Sequence, residues 1–461
     1  MRLNAYLGYT GPVKYLLDEA LRAEIEGESY FYPRENIVPD SPDKSGSSNK
    51  ALSQPIRLTV GLFERVSYDK SCYFFNRFGF SSLQVKGDFR LIRHTKEHMA
   101  SNKNQHYVPQ CYLRRFSAEN STSVINIFNI DREKFINCAP IKSQCSKSYF
   151  YGDDLELEKA LQPIEARYSG IVREITTPGY TLTNQHREFL IFFWRLQYMR
   201  TEAASRRSIE ITAGMEEVVG IETPDFKMEM KEAVQLSMKN FVKERSLLND
   251  LKVCLIKNKS KVNFITSDDP AVLTNKWHVM DKRTAGSNFG LGSAGVIITL
   301  PITPNILCVG FDPHVYSIPH KNGWVNVKNE REIMLFNEQQ FLNSRANIFF
   351  QSWNSQEQLL GGFTPIKARR PKSRHKIHYA VLDEESDGFK KYKVVDWREA
   401  KNNQEAMIHT EMVNPIPSAW PHTIGWKRKG FVYTNGSGVG YVRESRINPA
   451  TDHDFVKENS R

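Results

Sequence analysis

The sequence predicts an α+β fold in which long helices pack on a mostly antiparallel sheet, with small N- and C-terminal appendages. Two observations carry that expectation. Apolar residues recur with the helical period over about 155–175, 183–215, 225–247 and 328–347. Shorter runs at 123–130, 149–151, 251–257, 262–266 and 295–300 have the length and composition of strands. A chain of 461 residues exceeds the usual span of one hydrophobic core, so it is expected to divide. The expected parts are an N-terminal extension over 1–98, a central α+β domain over 99–360, and a basic linker with a small β-rich appendage over 361–461.

Within the extension, Val13, Leu16, Leu17 and Leu21 give residues 9–27 an amphipathic helical stripe. Pro33, Pro39, Pro42 and the Ser-Gly-Ser-Ser of 45–48 then set a connector near 38–55, and period-two alternation returns between 56 and 93. The stretch Met99-Ala-Ser-Asn-Lys-Asn-Gln-His106 reads like the start of a polypeptide, so translation from Met99 is one expectation. In the central part, Asp153 and Asp154 stand where the helix over 155–175 needs a cap, and Pro178-Gly179 stops it. Ile333, Leu335, Phe336 and Leu342 supply the apolar positions of 328–347. Near the end, Gly436-Ser-Gly-Val-Gly440 has the glycines of a phosphate loop but no following Lys-Ser/Thr, and a hairpin turn accounts for it.

Composition bounds the function classes. Hydrophobic residues at 40% and a mean hydropathy of −0.50 exclude a membrane channel and a wholly disordered chain. The most apolar long window, 295–311, is broken by Pro301, Pro304 and Asn305, and reads as two strands around a turn rather than a membrane span. Pro12, Lys14, Asp18 and Glu19 interrupt the N-terminus before any secretory h-region forms. The six cysteines (Cys72, Cys111, Cys138, Cys145, Cys254 and Cys308) are dispersed, which fits reduced thiols and a cytoplasmic location. Cys138 and Cys145 match no common zinc spacing.

The net charge of +11 is uneven: 361–461 carries 18 basic against 12 acidic side chains. Lys367, Arg369, Arg370, Lys372, Arg374 and Lys376 form a run without an acid, able to neutralise the phosphates of a nucleic acid. The plainer reading is a solvated linker, because no aromatic side chain interleaves the charges to stack a base.

Candidate chemistry gathers in four places. On the helix over 183–215, Phe189, Leu190, Phe193 and Leu196 share one face, with Glu188, Arg195 and Glu202 opposite as a solvent face. Gln197 and Arg200 project from the apolar arc, where a guanidinium must meet a carboxylate or an anion. For Arg200 the two readings are a substrate-anion contact and a buried ion pair to Glu165. Residues 262–270 read as a strand ending in Asp268 and Asp269, where Asp268 either joins Glu165 in holding a divalent cation such as Mg or Mn, or accepts from backbone N–H groups in a turn. His106 has the titration range of a general base, and equally that of a hydrogen-bonded structural ring.

Taken together, His106-Tyr-Val-Pro109 with Tyr112-Leu-Arg-Arg-Phe116, Trp194-Arg-Leu-Gln-Tyr-Met-Arg-Thr201, Ser267-Asp-Asp-Pro270 and Leu300-Pro-Ile-Thr-Pro304 resemble a bacterial family named domain of unknown function 4238. The resemblance covers about residues 103–355. In that family the first motif stands near the N-terminus, which agrees with reading 1–98 as an addition. The chain departs from the pattern at Cys111, where an aromatic is usual, and Asp269 occupies a variable position, which favours Asp268. The resemblance implies a common site of His106, Gln197, Arg200 and Asp268, and no activity.

Two functions fit these residues. One is a hydrolase of phosphodiesters or related anions, such as a metal-dependent nuclease, with Glu165 and Asp268 on the cation, His106 as base and Arg200 on the anion. The other is a non-catalytic module whose polar residues form a buried structural network while the basic run contacts nucleic acid or a protein partner.

Overall fold

A computed structural model describes residues 58–60, 103–219, 227–243, 246–386, 389–399 and 405–461. The expected helix over 9–27, the connector over 38–55 and most of the alternating stretch over 56–93 lie outside the described residues. After β1 (Leu58–Val60) come β2 (Asn104–His106), the helical turn α1 (Gln110–Leu113), β3 (Val124–Asn129), β4 (Lys134–Pro140) and β5 (Ser146–Ser148), which pairs back onto β2. Helices α2 (Glu156–Ile175), α3 (Asn184–Arg200), α4 (Glu202–Val219) and α5 (Met230–Lys243) follow. The chain then runs through β6 (Lys252–Asn258), β7 (Thr266–Ser267), β8 (Val272–Thr274), α6 (Lys276–Met280), β9 (Ile297–Thr303), β10 (Ile306–Phe311), β11 (Tyr316–Ser317) and β12 (Trp324–Val327). After α7 (Glu330–Asn343), β13 (Asn347–Phe350) and α8 (Gln356–Phe363), it ends with β14 (His375–Ser386), β15 (Phe389–Val395), β16 (Ala406–Met412), β17 (Gly425–Trp426), β18 (Phe431–Thr434) and β19 (Val456–Asn459).

The α+β expectation holds. A sheet of order β12-β6-β10-β9-β8 is antiparallel except where β12 lies parallel to β6, and a second sheet, β4-β3-β13-β7, is antiparallel throughout. The near-continuous apolar run of β6 follows from burial on both faces. Val253 and Leu255 turn toward the helical layer, where they meet residues of α2, α3 and α5, while Cys254 and Ile256 turn toward Ile333 and Phe336 of α7. Ile298 and Leu300 on β9, against Ile297 on the other side, repeat the pattern.

Helix α3 corrects the amphipathic reading. A residue wheel assumes one solvent face, but α3 packs on β6 and β9 and also contacts α2, α4 and α5. Arg195 and Glu202, assigned to solvent, are therefore buried, at 2% and 5% exposure. Arg195 donates to the Phe241 carbonyl and stacks its guanidinium over the Phe241 ring. Phe189, Phe193 and Trp194 are each within 1% of full burial, worth about 1.5–3 kcal/mol per large apolar side chain. The expected single helix also breaks in two: Thr201 adopts an extended conformation (φ −72°, ψ 159°) between α3 and α4.

Other boundaries shift modestly. The extended piece expected at 149–151 is a turn following β5, and of the expected strand over 262–266 only Thr266 joins a ladder, as the first residue of β7. Leu155 holds the N-cap position of α2 in a left-handed conformation, and Asp154 before it accepts the Glu156 N–H at 3.1 Å. Residues 435–440 form a turn with Gly436 and Gly440 at positive φ.

The segment expected to be a linker is folded. Residues 364–369 form a 3-10 helix and β14 begins at His375, in a sheet of order β1-β16-β14-β15 that lies against α4 through Ile377, Ile408, Ile211 and Met215. Ile424 and Val432, near the end of the chain, share a core with β6, β9 and β10. Among the described residues no helix is long and apolar enough to cross a membrane.

Candidate functional site

The four sequence motifs meet around the α3–α4 junction. Arg200, the last residue of α3, is 1% exposed and donates from Nε to the Tyr151 hydroxyl at 2.8 Å. Its Nη2 reaches the His106 carbonyl at 2.8 Å and Glu165 Oε1 at 2.9 Å. Of the two readings for Arg200, the ion pair with Glu165 is therefore the one formed. Tyr151 also donates to the His106 carbonyl, at 3.2 Å, and Gln105 holds Tyr151 from the other side by accepting its N–H at 2.5 Å. The His-Tyr-Val-Pro segment thus engages Arg200 through its backbone, not through the imidazole.

The His106 ring is 9% exposed and lies 3.1 Å from the Lys142 carbonyl through Nε2. A carbonyl only accepts, so Nε2 carries the proton in that bond. Burial pulls the pKa below its ordinary value, partly offset by the Lys142 carbonyl and reinforced by the charges of Arg200 and Arg114. Gln197, one turn before Arg200, is fully buried, and its amide atoms make no hydrogen bond to a described residue. Neither do Arg200 Nη1 and Glu158 Oε2. Burial pushes the Glu158 carboxyl up to about 7, with Arg200 opposing the rise and Glu165 adding to it.

One residue further along, Thr201 ties the helix junction to the Ser-Asp-Asp-Pro motif. Its hydroxyl donates to Asp269 Oδ1 at 3.0 Å and accepts the Ala204 N–H at 3.2 Å, capping α4. Asp269 Oδ2 receives Arg207 at 2.8 Å. The remaining motifs lock in nearby. Tyr112 donates to the Pro301 carbonyl at 2.8 Å and lies 2.6 Å from Thr266 Oγ1, and Trp194 donates to the Thr299 carbonyl at 3.0 Å.

Asp268 faces elsewhere. Its two carboxylate oxygens accept the backbone N–H groups of Arg345, Ala346 and Asn347 at 2.8–2.9 Å. Burial pushes its pKa up to about 6 against the pull of those three donors. The two carboxylates expected to share a cation have separate partners here: Glu165 holds a guanidinium and Asp268 a loop. Among the described residues no group of three or more His, Cys, Asp or Glu side chains is placed to hold a metal ion.

The basic run is also engaged. Arg370 donates to the Ser344 and Arg345 carbonyls at 3.2 and 2.8 Å, and Arg374 reaches the Asn343 carbonyl and side-chain oxygen at 3.4 and 3.2 Å. These acceptors sit at and just beyond the C-terminus of α7, where unpaired carbonyls and the helix dipole favour cations. Lys367 pairs with Glu133, and Lys376 with Glu411 at 3.8 Å.

A cluster that periodicity concealed lies beside the junction. Glu202 Oε1 is approached by Lys147 at 2.8 Å, Arg206 at 2.7 Å and Arg345 at 3.8 Å. The three cationic side chains are 40–42% exposed, while the Glu202 side chain is 6% exposed. Burial alone would raise the Glu202 pKa; bonds from Lys147 and Arg206 and the charge of Arg345 hold it below the ordinary value. Burial pushes the Tyr107 phenol pKa up, with the nearby charges of Glu202 and Asp268 adding to the rise. Lys147 comes from β5, Arg206 from α4 and Arg345 from the loop that Asp268 holds, so the cluster is assembled by the folded motifs.

A profile of the family described as protein of unknown function DUF4238 matches residues 104–354. The chain belongs to the DUF4238 family. The match begins at β2 and ends beyond β13, so the DUF4238 region contains the Arg200 network, the Asp268-held loop and the Glu202 cluster. Arg370 and Arg374, which hold the end of α7, lie past the matched DUF4238 region. Neither a curated protein nor a solved structure matches the chain.

Proposed function

We propose that this DUF4238 protein is a binding module for nucleic acid, with the Glu202 cluster as the phosphate contact and the Arg200 network as its scaffold. The observation that carries the reading is the convergence of Lys147, Arg206 and Arg345, all part-exposed, on one buried carboxylate. One negative charge offsets one of three positive charges, and the excess faces solvent where a phosphate can reach it. Arg370, bonded to the Arg345 carbonyl, links this cluster to the exposed Lys367, Arg369 and Lys372. Binding is favoured over metal-assisted hydrolysis because Glu165 pairs with Arg200, Asp268 is bonded to three backbone N–H groups, and His106 Nε2 is bonded to the Lys142 carbonyl.

The test is fluorescence anisotropy with a labelled single-stranded oligonucleotide across a salt series. Affinity is expected to fall with salt, and K147Q/R206Q/R345Q is expected to weaken binding at least about tenfold and flatten the salt slope by about 2. Unchanged affinity and slope in that variant would overturn the reading. Cleavage of the bound oligonucleotide with Mg or Mn, lost in Asp268→Asn, would overturn it in favour of hydrolysis.

A further inference from the structure

Resting on the nucleic-acid reading above, we infer that the Glu202 cluster recognises the phosphate monoester at a strand end in preference to internal phosphodiesters. The first argument is charge. Lys147, Arg206 and Arg345 supply three positive charges and Glu202 removes one, leaving two. An internal phosphodiester carries one negative charge, whereas a terminal monoester carries close to two at neutral pH, about −1.5 to −2. The terminal group matches the excess.

The second argument is geometry. The three cationic nitrogens lie 2.7, 2.8 and 3.8 Å from the same atom, Glu202 Oε1. They converge on the space of a single group instead of tracking a backbone. A planar guanidinium pairs two oxygens of one phosphate, and Arg206 and Arg345 approach from different elements. A monoester offers three terminal oxygens to such a set; a diester offers two.

The third argument is the floor of the site. Glu202 opens α4, an 18-residue helix, so the helix dipole adds positive potential at the position where the cations gather. Without ligand, Glu202 holds the three cations in place; with ligand, the phosphate takes over their outward-facing donors. Glu202 therefore organises the site and competes with the ligand for it.

The experiment compares the full chain binding one oligonucleotide sequence in three forms: 5′-phosphorylated, 3′-phosphorylated, and with a hydroxyl at both ends. At least one phosphorylated form is expected to bind about tenfold tighter than its hydroxyl counterpart, the size of one charge-assisted hydrogen bond. K147Q/R206Q/R345Q should bring that ratio to about one, and Glu202→Gln should keep or increase it, because the competing charge is gone while the shape persists. Circular dichroism of each variant confirms that it is folded. Equal binding of phosphorylated and hydroxyl ends, still weakened by the triple variant, overturns this inference and leaves the nucleic-acid reading standing. Binding of none of the three forms overturns both. A ratio that survives in the triple variant places the end contact elsewhere and overturns the assignment to Glu202.

Discussion

Arg200 and Glu165 meet at 2.9 Å between α3 and α2, with the Arg200 side chain fully buried and Glu165 about one quarter exposed. The pair joins the two helices, and the other donors of Arg200 hold Tyr151 and the His106 carbonyl. Arg200→Met leaves a carboxylate, a hydroxyl and a carbonyl short of their donor. It is expected to lower unfolding stability by about 3–5 kcal/mol, the usual cost of breaking a buried pair from one side. Replacing both partners, Arg200→Met with Glu165→Leu, should recover part of that loss. Urea denaturation of the two variants checks this; a double variant no more stable than Arg200→Met would show that the pair is not what the single change breaks.

Glu158 gives the protein a pH signature. Its carboxyl titrates near 4.5 when unfolded and at about 7 in the folded protein, because burial disfavours the charged form. A folded-state pKa above the unfolded value means proton uptake on folding, so this contribution is complete below about 4.5 and is lost as pH rises through about 7. Glu158→Gln removes the titration. Between pH 5 and pH 8 the variant should therefore gain stability relative to the wild type. Parallel urea midpoints at the two pH values measure it, and an identical pH slope in both proteins would be the contrary result.

The clasp on the end of α7 separates two kinds of basic residue within 367–376. Arg374 donates to Asn343 and to the Val413 carbonyl, bridging the helix end and the residue after β16. Arg374→Ala is expected to cost about 1–3 kcal/mol through unsatisfied carbonyls. Lys372→Ala, at an exposed position, should stay within about 0.5 kcal/mol of wild type. Thermal or urea unfolding compares them; equal effects would mean that the clasp adds nothing to stability.

The fold class and the main helices are legible in the sequence because their signal is local. The apolar arc of Phe189, Phe193 and Leu196 recurs within a few turns, and the α7 stripe does the same. Arg195 and Glu202 were misplaced on a solvent face because a wheel registers period but not how many neighbours a helix has. Arg200 had to meet an acid or an anion on energetic grounds alone, and Glu165 proved to be the acid. Asp268 was readable as a backbone acceptor, but its donors lie near residue 346, beyond the reach of any turn pattern. The Glu202 cluster has one local signal, the i,i+4 spacing of Glu202 and Arg206, while Lys147 and Arg345 come from two other elements. Only the tertiary arrangement reveals it.

The loop between α7 and β13 is gripped almost entirely by its main chain. Asp268 takes the amides of Arg345 and Ala346 and that of Asn347 beyond them, and Arg370 takes the Ser344 and Arg345 carbonyls. A segment anchored in that way places few demands on the identity of its own side chains. The Arg345 side chain can therefore be exchanged for a polar or acidic one without loss of the loop's path, so that selectivity at the neighbouring site is retuned while the scaffold that presents it stays the same.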